Sequence, residues 1–208
     1  MDAKVKICGI TNEEDARAAA TAGADAVGLM FYPGSPRCIS VETARAISAG
    51  LPGYVLRVGV FVNPSPEEVW AAMGGGCLNL LQFHGEETPE FCRQFGLMTM
   101  KAFRVRDAES LDGIAGYEAD AYLLDSYVAG RPGGTGETFN WELAAQAKRF
   151  GRPIFLAGGL TPENVAEAVR TARPFAVDVS SGVERAPGKK DHQKMRDFIA
   201  VAHGAGKE

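Results

Sequence analysis

The chain has 208 residues, 46% of them hydrophobic and 23% charged, which is enough apolar material for a sizeable core and ordinary for one globular domain. With a formal net charge of -4 and its Lys and Arg scattered, it offers no basic stripe for a nucleic-acid backbone. The start, Met1 to Lys6, is polar and leads into an apolar run with neither the length nor the flanks of a signal peptide or a membrane span, so a cytoplasmic protein with no membrane partner is expected.

Short runs rich in Val, Ile, Leu and Phe alternate along the chain with longer stretches at helical spacing, the signature of βαβ units and a parallel sheet. The predicted strands are Lys4 to Gly9, Ala26 to Phe31, Leu56 to Val62, Asn79 to His84, Met98 to Arg104, Ala121 to Asp125, Pro153 to Ala157 and Phe175 to Ser180. Helix starts are predicted at Thr11 or Asn12 before Glu13-Glu14, at Ser40 before Glu42, at Ser65 before Pro66-Glu67-Glu68, and at Thr161 before Pro162-Glu163. In each, a side-chain oxygen can bond the free N–H groups of the first turn and a carboxylate meets the positive helix end. Between Asp107 and Tyr117 the pattern is short and interrupted by Gly113 and Gly116, which predicts a single turn or a loop.

Eight such units in this length predict a (β/α)₈ barrel. The alternative, a doubly wound open sheet, usually carries G-x-G-x-x-G after its first strand, and here that place reads Cys8-Gly9-Ile10-Thr11. A barrel of this kind works at the C-terminal ends of its strands, so unusual residues are sought there.

Along the first strand Val5 and Ile7 share one face and Lys4, Lys6 and Cys8 the other, which sends Cys8 toward the barrel mouth. A packing cysteine is the alternative reading. Cys8, Cys38, Cys77 and Cys92 form no CxxC pair and have no zinc-site spacing, so each is by default a small buried hydrophobe, and no metal is expected. After the second strand, Pro33 and Pro36 brace a loop that presents Arg37, whose planar fork suits a carboxylate. His84, closing Gln82-Phe83-His84-Gly85, reads as a hydrogen-bonded structural histidine in preference to a ligand-facing one. His192 and His203 fall in the polar terminal helix and read as solvated.

The sixth strand is apolar until Asp125, which either lies at the mouth or caps the turn through Ser126-Tyr127. The Gly-rich stretch from Gly130 to Gly136 is a plain connection or a lid. The seventh and eighth strands end in Gly158-Gly159 and Ser180-Ser181-Gly182, and glycine N–H groups from two consecutive strand ends, with a short extra helix, make a phosphate site.

Taken together, Lys6-Ile7-Cys8-Gly9-Ile10-Thr11, Ser35-Pro36-Arg37 with Ile39-Ser40, Gln82-Phe83-His84-Gly85, Asp125-Ser126, Gly133-Gly134-Thr135-Gly136, Leu156-Ala157-Gly158-Gly159-Leu160 and the run Val177 to Glu184 resemble, in order and across the chain, the phosphoribosylanthranilate isomerase family. Phe83 stands where leucine is usual. The resemblance implies an Amadori rearrangement of a phosphosugar substrate in tryptophan biosynthesis, with no metal and no cofactor. It also implies roles: Cys8 general base, Asp125 general acid, Arg37 the anchor of the anthranilate carboxylate, Asp178 a contact to the sugar hydroxyls, and Gly158, Gly159, Ser180, Ser181 and Gly182 the phosphate site. Monomer and homodimer both stay open.

That chemistry needs these residue types. An acid must protonate the ring oxygen, and a carboxyl in a water-poor mouth keeps the proton to give; a base must then take the C–H proton, and a thiolate suffices if positive charge, with Lys6 as a source, lowers its pKa. The nearest rival, the barrel isomerase of histidine biosynthesis that runs the same rearrangement, resembles a duplicated half-barrel with phosphate loops in both halves and aspartate ending the first strand. Here the first half lacks such a loop and Cys8 holds that place. A non-catalytic phosphosugar-binding barrel would keep the phosphate loops and need neither Cys8 nor Asp125.

Overall fold

The computed structural model describes residues 2–126 and 141–206, so the Gly-rich stretch from Gly130 to Gly136, read as a plain connection or a lid, lies outside the described residues. Eight parallel strands close into a barrel in chain order: β1 (Lys4–Cys8), β2 (Ala26–Met30), β3 (Leu56–Phe61), β4 (Leu80–Phe83), β5 (Met98–Val105), β6 (Ala121–Ser126), β7 (Ile154–Leu156) and β8 (Ala176–Val179). β8 pairs back onto β1 with Lys6 opposite Asp178, which closes the ring. Each expected strand is present within a residue or two of its predicted bounds.

Strand alternation divides the core into two bodies. Inside the barrel, Cys8, Val58, Val60, Leu80, Met100, Leu123, Phe155 and small residues such as Ala26, Ala102 and Ala176 pack together. Residues of the other parity, including Val5, Ile7, Leu81, Phe83, Leu124 and Val177, face the helix layer and build the larger cluster. Phe83 belongs to that outer layer and packs against Phe61, Phe91 and Phe95 at ring separations of 6.1, 5.6 and 5.6 Å, well away from the mouth.

The helices are α1 (Glu13–Ala22), α2 (Val41–Ala49), α3 (Pro66–Met73), α4 (Pro89–Arg93), α5 (Trp141–Ala147), α6 (Val165–Ala172) and α7 (His192–Gly204). Asn12, Ser40 and Ser65 cap α1, α2 and α3 as their sequence predicts, Ser65 in a capping box with Glu68. Thr88, not singled out by sequence, caps α4 by accepting from Phe91 N–H. Thr161 does not cap α6. Asn164 folds its amide back instead, accepting from Thr161 N–H at 2.8 Å and donating to Gly159 O at 2.9 Å, so residues 162–164 turn and the helix begins at Val165. The weak fifth pattern is a 3₁₀ helix, Glu109–Gly116.

After β8 comes a 3₁₀ turn, Ser181–Val183, and then a short hairpin, β9 (Glu184–Ala186) with β10 (Lys189–Lys190). The hairpin is tied to the first βα unit: Thr11 Oγ1 donates to Gly188 O at 2.6 Å and Lys190 N–H to Asp15 Oδ2 at 3.1 Å. His192 and His203 are not simply solvated, as each is partly buried and pairs with an aspartate, Asp15 at 2.8 Å and Asp25 at 3.4 Å. Cys77 and Cys92 are buried, but Cys38 is exposed, because the Pro-braced loop carries it over the rim. Among the described residues no helix is long and apolar enough to cross a membrane.

Candidate active site

The barrel mouth opens into a cavity of about 500 Å³ lined by Cys8, Arg37, Asp125, Gly158, Gly159, Asp178, Ser180, Ser181 and Gly182, together with His84 and Gln82. Every site residue expected from sequence therefore meets the same space. A larger hollow of about 1140 Å³ lies at the opposite end, against Lys4, Arg173 and Phe175. It faces strand starts, where this architecture puts stability and not chemistry.

Cys8 ends β1 with its sulfur in the cavity, and the neighbouring strand gives way to it: a Cβ at Gly28 would stand 2.6 Å from Cys8 Sγ and 3.2 Å from Lys6 Nζ. One turn of the pleat below, Lys6 is fully buried and its Nζ lies 2.7 Å from Asp178 Oδ1. Burial works against the Lys6 ammonium, but Asp178 and the Cys8 sulfur outweigh it and the Lys6 pKa is raised. The expectation that positive charge lowers the Cys8 pKa is not met. Burial pushes the thiol up, and the opposing pull of Lys6 and Lys190 does not overcome it, since Asp178, which takes up the Lys6 charge, also raises the thiol.

Asp125 is the penultimate residue of β6, and the histidine that follows β4, two strands away around the barrel, holds it. His84 Nε2 is 3.2 Å from Asp125 Oδ2, while Gln82 Nε2 is 2.9 Å from His84 Nδ1. With the Gln82 amide in that orientation Nδ1 accepts, so Nε2 carries the hydrogen and donates to Asp125. His84 is hydrogen-bonded, as sequence suggests, but it faces the site. The loop behind it is fastened by a buried pair that sequence does not reveal: Lys101 Nζ donates to Gly85 O at 2.6 Å and to Glu87 Oε2 at 3.0 Å, and Glu87 Oε1 accepts from Asn63 N–H at 2.8 Å.

Arg37 reaches the mouth across Gly9, whose φ of +74° keeps its backbone tight and where any Cβ would meet the Arg37 stem. Its fork is already engaged: Nε donates to Glu184 Oε1 at 2.8 Å and Nη2 to Glu184 Oε2 at 2.6 Å. Burial disfavours the Glu184 carboxylate, yet Arg37 and Lys190 more than compensate and its pKa is lowered; the same bonds raise that of Arg37. Lys190, also buried, lies 2.9 Å from Glu184 Oε1 and 3.2 Å from Ser180 O. Sequence reading includes Glu184 in its last motif but assigns it no partner, and passes over Lys190.

Gly158 and Gly159 have φ of +89° and +64°, the left-handed turn that points successive N–H groups to one side. The β8 loop presses against this one, since a Cβ at Gly182 would strike the Leu160 carbonyl. The arrangement can hold an anion at one end of the cavity, a carboxylate near Arg37, and a thiol and a carboxyl between them. Among the described residues no group of His, Cys, Asp and Glu is placed to hold a metal ion.

A family model described as N-(5'phosphoribosyl)anthranilate (PRA) isomerase matches residues 5–201. N-(5'-phosphoribosyl)anthranilate isomerase of Trichlorobacter lovleyi is 55% identical over 202 residues, covering 97% of this chain and 98% of that protein. Its counterpart from Geobacter sulfurreducens is 54% identical over 201 residues, covering 97% and 98%. The crystal structure of phosphoribosyl anthranilate isomerase from Thermotoga maritima superposes with a TM-score of 0.92 at 46% identity, covering 97% of this chain and 99% of that one. A second structure, 45% identical with a TM-score of 0.88 and the same coverage, holds reduced 1-(o-carboxyphenylamino)-1-deoxyribulose 5-phosphate. By family match over residues 5–201 and by these whole-chain identities, the chain belongs to the N-(5'-phosphoribosyl)anthranilate isomerase family.

Proposed function

We propose that the chain isomerises N-(5'-phosphoribosyl)anthranilate to 1-(2-carboxyphenylamino)-1-deoxyribulose 5-phosphate, a step of tryptophan biosynthesis, by general acid and base catalysis with no cofactor. The observation that carries this reading is the placing of Cys8 and Asp125 on one cavity with the two-loop anion site and Arg37. The phosphate sits on Gly158, Gly159 and Ser180 to Gly182, and the anthranilate carboxylate on Arg37, so the reacting carbons are held between acid and base.

Asp125, oriented by His84, gives its proton to the ring oxygen, and the C1'–O bond breaks to an iminium. Cys8, as thiolate, takes the proton from C2'; the enolamine then becomes the ketone as C1' gains a proton and the C2' hydroxyl loses one. The iminium is itself a cation beside the sulfur and favours the thiolate, which offsets the burial that raises its pKa. Asp178 keeps Oδ2 for a sugar hydroxyl while Oδ1 holds Lys6.

The test follows anthranilate fluorescence as substrate is consumed. Wild-type protein should turn over, and Cys8→Ser and Asp125→Asn should each lower kcat by at least about a hundredfold, the scale of losing one acid or base. Near-parental rates in either variant would reassign that role. We read the chain as one barrel domain acting in the cytoplasm without nucleic acid, as a monomer or a homodimer; a structure of monomers generated from the dimeric Thermotoga maritima enzyme, 46% identical, supports the homodimer.

A further inference from the structure

We propose that Glu184, itself held by Lys190, is the positioning residue for Arg37, and that the hairpin carrying both couples the carboxylate end of the site to its phosphate end. This rests on the reading of Arg37 as carboxylate anchor given above.

An arginine that must greet a carboxylate is here clamped by another carboxylate. Glu184 takes Nε and one Nη2 hydrogen at 2.8 and 2.6 Å, which fixes the guanidinium plane. The second fork, formed by Nη1 and the remaining Nη2 hydrogen, stays for a ligand, and Arg37 lines the cavity. A pre-set fork spares the rotamer entropy that a loose arginine loses on binding.

The clamp alone would cancel the charge that attracts a substrate carboxylate. Lys190 restores it. Its Nζ lies 2.9 Å from Glu184 Oε1 with both side chains buried; burial lowers the Lys190 pKa and Glu184 opposes that, and with the ammonium protonated the trio carries one net positive charge. Buried ion pairs add little to stability compared with apolar packing, so stability alone does not account for this one.

The same ammonium donates to Ser180 O at 3.2 Å, in the loop read as the phosphate site. Lys190 and Glu184 face each other across the β9–β10 hairpin, so a displacement of Arg37 is passed to Ser180 through two side chains. Ligand contact at either end thereby steadies the other.

The experiment compares inhibition by reduced 1-(o-carboxyphenylamino)-1-deoxyribulose 5-phosphate with inhibition by the analogue lacking the ring carboxyl, in wild-type, Arg37→Ala, Glu184→Gln, Lys190→Met and Arg37→Ala/Glu184→Gln proteins. The ratio of the two inhibition constants is the carboxylate preference, which a general loss of folding does not move. Glu184→Gln and Arg37→Ala should each cut that preference by about tenfold or more, and the double variant should lose no more than Arg37→Ala alone. Lys190→Met should cut it as well, and should weaken the carboxyl-free analogue through Ser180. Should Glu184→Gln leave a buried lysine unpaired and fail to fold, Glu184→Gln/Lys190→Met removes both charges and carries the same comparison. A parental preference in the Glu184 variant, beside a lost preference in Arg37→Ala, overturns the positioning role. A parental preference in Arg37→Ala instead removes the anchor reading itself, and the proposal with it.

Discussion

His84 Nε2 faces Asp125 Oδ2 at 3.2 Å, so the carboxylate near the end of β6 is steered by the imidazole that follows β4. The imidazole is in turn set by Gln82 and by a loop that Lys101 and Glu87 fasten from below. An acid works only when its proton points at the atom that needs it, and this stack of bonds fixes the direction.

Replacing His84 by alanine should therefore lower kcat by about tenfold while KM changes by less than about threefold, because the loss falls on orientation and not on binding. Steady-state kinetics by the fluorescence assay measures both. A kcat equal to the parent's would show that Asp125 needs no such guide.

Cys8 titration has a direction that can be checked in the free protein. Burial raises its pKa above the ordinary thiol value of 9.0, so the thiol form is favoured by the fold; that contribution to stability is present below 9.0 and is lost as pH rises through the higher folded value. In a Cys38→Ser background, which removes the exposed thiol, the rate of Cys8 alkylation by iodoacetamide should rise with pH through a midpoint above 9.0. A midpoint below that value would mean that Lys6 and Lys190 outweigh burial after all.

A crystal grown with sulfate or phosphate should show the anion between Gly158-Gly159 and Ser180 to Gly182. Gly159→Ala places a side chain at φ +64°, a strain of roughly 1–2 kcal/mol, and should raise KM with a smaller change in kcat. An ordered anion only at some other strand end would refute the placement.

Asp15 ties α1 to the hairpin and to α7, accepting from Asn12, Lys190 N–H and His192. Burial alone would raise its pKa, but the three bonds win and it is lowered, so its contribution to stability is present above the ordinary 3.8 and is lost as pH falls through the lower folded value. Asp15→Ala should cost about 1–3 kcal/mol in urea unfolding at neutral pH. The gap from the parent should narrow well below pH 3.8; a constant gap would trace the loss to packing instead.

Much of the site was legible because one rule of alternation runs from strand to mouth. Cys8, Asp125 and Asp178 each sit on the inward parity of a strand whose other face is apolar, and polarity at an inward strand end has few structural reasons to be there. Turn residues marked the glycine loops for the same reason. The supporting cations escaped notice on physical grounds. Arg37 and Glu184 are 147 residues apart and meet only when the second loop and the last hairpin fold over one rim. Lys190 reads as one more lysine of a polar tail, and nothing local distinguishes a buried ammonium from a solvated one. Lys101 stands in β5 between the inward Met100 and Ala102, so it falls on the helix-facing parity, where a lysine has no local mark to separate it from a solvated one. Thr161 misled because its sequence suits a cap, while Asn164 served the glycine loop instead.

Joining β8 to β1 has a consequence for how the chain is made. Lys6 and Asp178 are separated by 172 residues, so the ammonium under Cys8 leaves the ribosome long before its counter-ion. Until β8 emerges, both the β1 and the newest strand are open edges, and the lysine keeps the first of them hydrated and poorly suited to pairing with another chain. A charge on an open edge strand disfavours pairing with another chain, so the lysine that ends up partnering Asp178 also makes β1 a poor template for such pairing while its own partner is absent.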